Sequence, residues 1–298
     1  MNIKSVLESR IRELLEFLID DAPIREYEPN DMLDVCKRKK QLLQSRDAQI
    51  VKCDADVSVL RQLTVGSYQE VDYVIHFQYF IQQNRFMYVE EERIERHLIC
   101  NQHGIVSDCY IQYENNEETT PSFEREVTKG KGETISYTYN RLEAVKYAEA
   151  WWNGRNPAYQ NFQDNCTNFI SQCLHAGESP MSGYPNVGRG WWQMKKQWSW
   201  SWAVAHSFHG YLSNARIGLR ARQVEKPQDL LLGDVVVYDF ENDGRWNHTT
   251  IVVAKDEQGM PLVNAHSADS RRRYWAYEDS SKYTPRMKYK FFHIVNND

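Results

Sequence analysis

Among residues able to do covalent chemistry, Cys166 has the most favourable setting. It lies in Asp164-Asn165-Cys166-Thr167-Asn168-Phe169-Ile170-Ser171-Gln172-Cys173-Leu174-His175-Ala176-Gly177, with apolar residues at Cys166, Phe169, Ile170, Cys173 and Leu174. That i, i+3, i+4, i+7, i+8 spacing describes one buried face of a short helix. Asp164 or Asn165 supplies an N-cap, and Gly177 stands where a glycine would end the helix. Cys166 therefore falls in the first turn, where the positive end of the helix dipole stabilises a thiolate and can lower a cysteine pKa from ~8.5 to about 3.5–7.5. Cys173, two turns further on, reads as an inert core thiol.

A nucleophilic thiol needs a base within hydrogen-bond reach, and the base needs a third group to hold its ring. Of the nine histidines, His248 is the expected base, because it opens the strand His248-Thr249-Thr250-Ile251-Val252-Val253-Ala254 directly after a turn. The next strand carries Asn264 and His266 on one face, two residues apart. In an antiparallel hairpin His266 returns beside His248 and is the expected orienting residue, with Asn264 second. The backbone N–H of Cys166 is one expected oxyanion donor, with Tyr159 or Gln163 as the other. Cys166, His248 and His266 could also serve as zinc ligands, but their setting favours a triad, so no metal or cofactor is expected.

The elements that would position these groups can be read on either side. Residues 3–20 and 28–49 have helical spacing, and from Asp54 the pattern changes to strands over 57–65, 70–77, 86–100 and 105–113. Residues 114–135 are polar and punctuated by glycine and proline, which marks a linker. A helix over 141–152, the Cys166 helix and a Trp-rich helical segment over 191–212 precede strands over 234–240, 248–254, 261–266 and 288–295. The expectation is therefore an α+β protein of two domains: an N-terminal α+β accessory domain over 1–130 and a second over 135–298, its helices followed by an antiparallel sheet. The tryptophans Trp198, Trp200 and Trp202 could pack into the core or, with Trp246, wall a substrate groove.

Composition narrows the classes. With 298 residues, 41% hydrophobic and 26% charged, the chain has the balance of a globular protein. A net charge of −5 without a basic tract gives no reason to expect nucleic acid. Six cysteines show neither a CxxC pair nor zinc spacing. The stretch Met1–Asp20 reads as an amphipathic helix instead of a signal peptide, and no 18-residue apolar run occurs. A cytoplasmic protein, or one of a sporulation compartment, is the expectation.

Cys166-Thr167-Asn168-Phe169-Ile170-Ser171-Gln172 resembles the signature of the putative amidase-domain family, a bacterial branch of the papain-like NlpC-type and CHAP-type cell-wall amidases. Tyr139-Asn140-Arg141, Trp151, Asn156-Pro157, Tyr159, the Trp-Ser-Trp-Ser-Trp block at 198–202, Gly233-Asp234 and His248-Thr249 also fit its pattern, in order. The acidic residue often placed directly before the cysteine is here at Asp164, with Asn165 between. The resemblance implies a papain-like C-terminal domain and metal-free hydrolysis of an amide through a thioester, and it puts the family's third polar residue at His266. The implied substrate is a peptidoglycan stem peptide or a related short peptide. Two other readings compete: a catalytically silent papain-like module in envelope or spore assembly, and a thioester acyltransferase.

Overall fold

The computed structural model describes residues 3–20, 22–23, 31–111 and 136–296, so the expected linker at 114–135 lies outside the described residues. The described chain is α+β, and its backbone contacts divide it into two compact units.

The first unit opens with α1 (Ile3–Asp20) and α2 (Asp31–Gln44). Leu7, Ile11, Leu14 and Leu18 form the buried stripe of α1, as their spacing predicts. The second helix stops short of the expected residue 49, because Asp47 turns the chain with φ +53° and a strand begins at Ala48. Four strands follow as an antiparallel meander: β1 (Ala48–Val65), β2 (Tyr68–Gln83), β3 (Phe86–Asn101) and β4 (Gly104–Tyr110). Alternation along β2 buries Val71, Tyr73, Ile75, Phe77, Tyr79 and Ile81. Residues 276–283, distant in sequence, belong to this unit and not to the second. Their Asp279 carboxylate lies 2.7 Å from the buried Lys39 ammonium, which also pairs with buried Glu90.

In the second unit α3 (Arg141–Trp151) and α4 (Cys166–Ala176) come first. The Trp-rich segment is not one helix. It comprises a ribbon of β5 (Gln193–Met194) and β6 (Gln197–Trp198), then α5 (Trp200–Ala203) and α6 (Ala205–Asn214). The six remaining strands are β7 (Ala221–Val224), β8 (Val235–Asp239), β9 (His248–Lys255), β10 (Pro261–Ala265), β11 (Ser270–Tyr274) and β12 (Lys288–Ile294). They pair antiparallel in the order β11-β10-β9-β8-β12-β7. The helices cover one face, where Phe169, Ile170 and Cys173 of α4 meet Val235, Val237, Ile251 and Val253 in a common core.

Tyr139 wedges the start of α3 into this core. Its hydroxyl donates to the carbonyl of Gly233 at 2.8 Å. Gly177 ends α4 as its position suggests; it keeps φ −77°, and a Cβ there would sit 2.4 Å from the Tyr139 ring, so this glycine serves close packing. Asp234, fully buried, accepts from Arg141 at 2.6 Å and from the N–H of Ile294 at 3.0 Å, tying α3 to β12.

Candidate active site

Cys166 opens α4, but the expectation of an activated thiolate is not met. The residue is 3% exposed, and burial pushes its thiol up to about 12, with the charge of Asp164 adding to the rise. Loss of hydration thus outweighs the helix dipole. Hydrogen bonds from Thr167 and from the side chain and backbone of Thr249 oppose the shift. The hydroxyls of Thr167 and Thr249 lie 3.3 Å apart, so the first turn of α4 rests on the second residue of β9.

Contact with Thr249 fixes where His248 points. Successive strand side chains take opposite faces. Thr249 faces α4, whereas the ring of His248 lies with Tyr238 and Phe240, at centroid separations of 5.5 and 5.9 Å, on the far face of the sheet. The sequence had placed this histidine before the helix N-terminus, and the structure turns its ring away.

His266 is on the helix side. It follows the last residue of β10, is 2% exposed, and stacks on Phe169 of α4 with ring centroids 3.9 Å apart. Its Nε2 lies 2.8 Å from the carbonyl of Trp151, the last residue of α3, and its Nδ1 lies 2.7 Å from Asn165 Nδ2. Burial pushes its pKa down to about 4, Asp269 opposes that shift, and Arg155, 3.3 Å from Nε2, reinforces it.

Neither Asp164 nor Asn165 caps α4 through its side chain. Asn165 occupies the N-cap position without a side-chain cap bond. Its Oδ1 instead accepts from the N–H of Phe162 at 3.2 Å and from Asn168 Nδ2 at 2.8 Å. Asp164 accepts at 2.9 Å from the Ser267 hydroxyl, which itself accepts the N–H of Asn165 at 2.8 Å. Asn264 is a structural staple: its amide donates to the carbonyl of Ala148 at 3.2 Å and to Glu149 at 3.0 Å.

Of the expected groove residues, Trp202 is core, fully buried, with its indole N–H on Asn168 Oδ1 at 2.8 Å. Trp200 is half-buried at the start of α5. Trp198 meets Phe162 edge-on at 4.8 Å, and Trp246 stacks on His209 at 4.4 Å. Tyr159 stacks on Trp202 at 6.1 Å, while Gln163 is exposed. A shallow polar crevice of about 10 Å³, room for little more than a water, lies beside His266 and Asn165 and is lined further by Arg155, Gln160, Asn168 and Gln172. Among the described residues no group of three or more His, Cys, Asp or Glu is placed to hold a metal ion.

Residues 138–292 match the family described as "Putative amidase domain". The chain belongs to this family. It is also similar to the uncharacterized protein YhbB of Bacillus subtilis, 46% identical over all of this chain and 97% of that protein. A shorter similarity, 31% identity over 44% of this chain and 31% of the relative, links it to the uncharacterized protein YjcM of Bacillus subtilis. No solved structure matches.

The polar residues of the amidase-domain signature have evident structural uses here. Asn168 holds Trp202, Ser171 donates to the carbonyl of Trp202 at 2.8 Å and accepts the indole N–H of Trp191 at 2.9 Å, and Gln172 accepts from the hydroxyl of Tyr147 at 2.7 Å. Arg155 and Asp269 escaped the sequence reading, which named Asn165 only as a cap and Thr249 only as part of a motif. Of the four, only Thr249, adjacent to a singled-out histidine, carried a signal for its place in the site.

Proposed function

We propose that the amidase domain is a papain-like cysteine hydrolase in which Cys166 attacks an amide carbonyl and His266, not His248, is its base. The observation that carries this reading is the position of His266, on the α4 side of the sheet with Nδ1 directed at the residue before the nucleophile. His248 would have to reach through the sheet to serve instead.

In this mechanism the Asn165 amide, 2.7 Å from His266 Nδ1 at rest, turns aside, and Sγ adds to the carbonyl carbon as its proton passes to that nitrogen. The amine then leaves with that proton, and a thioester remains on Cys166. Water attacks the thioester with His266 again accepting a proton, and the acid is released as the thiol is restored. The N–H of Cys166, in the first turn where helical acceptors are lacking, faces the developing oxyanion. Tyr159 and Gln163 remain the candidates for the second donor. A thiol raised to about 12 favours proton transfer coupled to attack over a resting thiolate–imidazolium pair. The substrate class implied by the family resemblance is a peptidoglycan stem peptide or a similar short peptide.

The buried thiol favours a second reading, a silent module that keeps the scaffold. Hydrolysis of peptidoglycan fragments by wild type, Cys166→Ala, His266→Ala and His248→Ala separates the two. Loss of activity in the first two variants with retention in His248→Ala is expected. Activity that survives Cys166→Ala sinks the proposal, and loss in His248→Ala alone returns the base role to that residue.

A further inference from the structure

In the first unit β1 is the terminal strand of its sheet. It pairs with β2 on one side and, among the described residues, with no strand on the other. Near its start Ala48, Ile50 and Cys53 are buried, but residues 58–68 are exposed without exception. Their neighbours on β2 are not: Val71, Tyr73 and Ile75, opposite Gln62, Val59 and Val57, are fully buried. Along this stretch the cover of the sheet ends at β2, and β1 overhangs it. The overhang carries Val59, Leu60, Leu63, Val65 and Tyr68, each 43–57% exposed.

A long apolar edge is a template for another strand, and proteins that avoid such pairing put lysine, proline or a bulge there. Beyond Lys52 this strand has neither lysine nor proline. Its last bulge, between Val59 and Arg61, leaves residues 61–65 in unbroken register with β2. Arg61 is the one charged residue of 58–65, and its guanidinium is turned back onto Asp72 at 2.6 Å. The free edge is therefore apolar and electrically neutral, without the basic residues that draw a protein to anionic lipid. A strand that fits it must be neutral and apolar as well, and residues 58–65 of a second copy meet that demand. Antiparallel pairing about a two-fold axis at Gln62 sets Arg61 opposite Leu63 of the other copy, so no charge meets its like. An axis one residue earlier would oppose the two guanidiniums.

We infer that the first unit is a dimerisation module, in which the β1 edges of two copies of this chain pair antiparallel about a two-fold axis at Gln62. Such self-complementary two-fold contact is the commonest arrangement among soluble oligomers. Two of these edges bury on the order of 1,000 Å², the low end for a specific interface, so the dimer is weak and depends on concentration. It gathers two amidase domains in one particle and is independent of the chemistry assigned to Cys166.

Sedimentation velocity of the full chain, from low-micromolar to near-millimolar concentration, reads the association directly. Wild type should pass from monomer to dimer. Leu63→Lys, which places a lysine on the exposed edge, should stay monomeric with its urea midpoint unchanged. The register has a separate readout. Opposed residues of antiparallel strands have Cα atoms about 4.5–5.5 Å apart, within disulfide range. With oxidised glutathione as the oxidant, Gln62→Cys should form a covalent dimer, whereas Gln49→Cys, exposed on the same strand but far from the axis, should not. Wild type treated alike controls for the six native thiols. A wild type that remains monomeric throughout overturns the inference and leaves the edge to a different partner. A dimer that survives Leu63→Lys, or that Gln62→Cys fails to lock, overturns it equally.

Discussion

At the residue scale, the candidate site is governed by desolvation. Cys166 is raised and His266 lowered, each toward its neutral form, because the charged form of either has lost its water. His209 is likewise lowered to about 4, chiefly by burial, with His206 and Lys290 adding repulsion. These shifts set an acid limit on the fold. Between pH 6.5 and about 4 the unfolded chain binds protons that folded His209 and His266 refuse, so stability is full above 6.5 and falls as pH drops through that window. Each histidine contributes up to about 3 kcal/mol of this loss. Urea denaturation at steps from pH 7 to 4 should show the decline, and His209→Phe should flatten it. A stability independent of pH across the window would contradict these burials.

At the scale of elements, the turn from β10 to β11 is tied to the two residues before the thiol. Ser267 and Ala268 both have positive φ, +64° and +115°, a conformation that costs non-glycine residues energy unless contacts hold it. The contacts are at hand: Ser267 bridges Asp164 and the N–H of Asn165, and Asp269 takes two bonds from Arg155 at 2.9 and 3.0 Å. Arg155 is about one-third exposed, so this pair contributes roughly 1 kcal/mol or less to global stability. Its local effect should be larger than its global one. Arg155→Ala is expected to speed alkylation of Cys166 by iodoacetamide severalfold with little change in the urea midpoint. An unaltered rate would mean that the turn does not guard the thiol.

Across the whole molecule, one short segment changes sides after the break at residue 114. Residues 276–283 leave the sheet of the second unit between β11 and β12 and join the first, where Asp279 and Glu90 compensate the buried Lys39. Arg38 adds two bonds to the backbone of this segment, to Glu278 at 3.1 Å and Ser280 at 2.9 Å. Removing one partner from a buried charge group costs about 3–5 kcal/mol, whereas an exposed pair is worth under about 1. Asp279→Ala should therefore lower the urea midpoint sharply, and Asp54→Ala, which breaks the exposed pair with Lys52, should not. Similar losses in both would remove the special role of the segment. No helix among the described residues is long and apolar enough to cross a membrane.

The sequence by itself determined the α+β class, the amphipathic α1, the helix opened by Cys166, the strand that His248 opens and the strand that His266 follows. Those features are local: apolar spacing, caps and turns act over a few residues. It could not determine which way His248 points. The run His248-Thr249-Thr250-Ile251-Val252-Val253 is buried throughout, so no polar–apolar alternation marks its phase. Register against Tyr238 on β8 decides it, and that pairing is a tertiary fact. The state of Cys166 was hidden for a similar reason. A helix N-terminus is legible in sequence and favours a thiolate, but the loops and strand that bury the thiol come from elsewhere in the chain. Their desolvation outweighs the dipole.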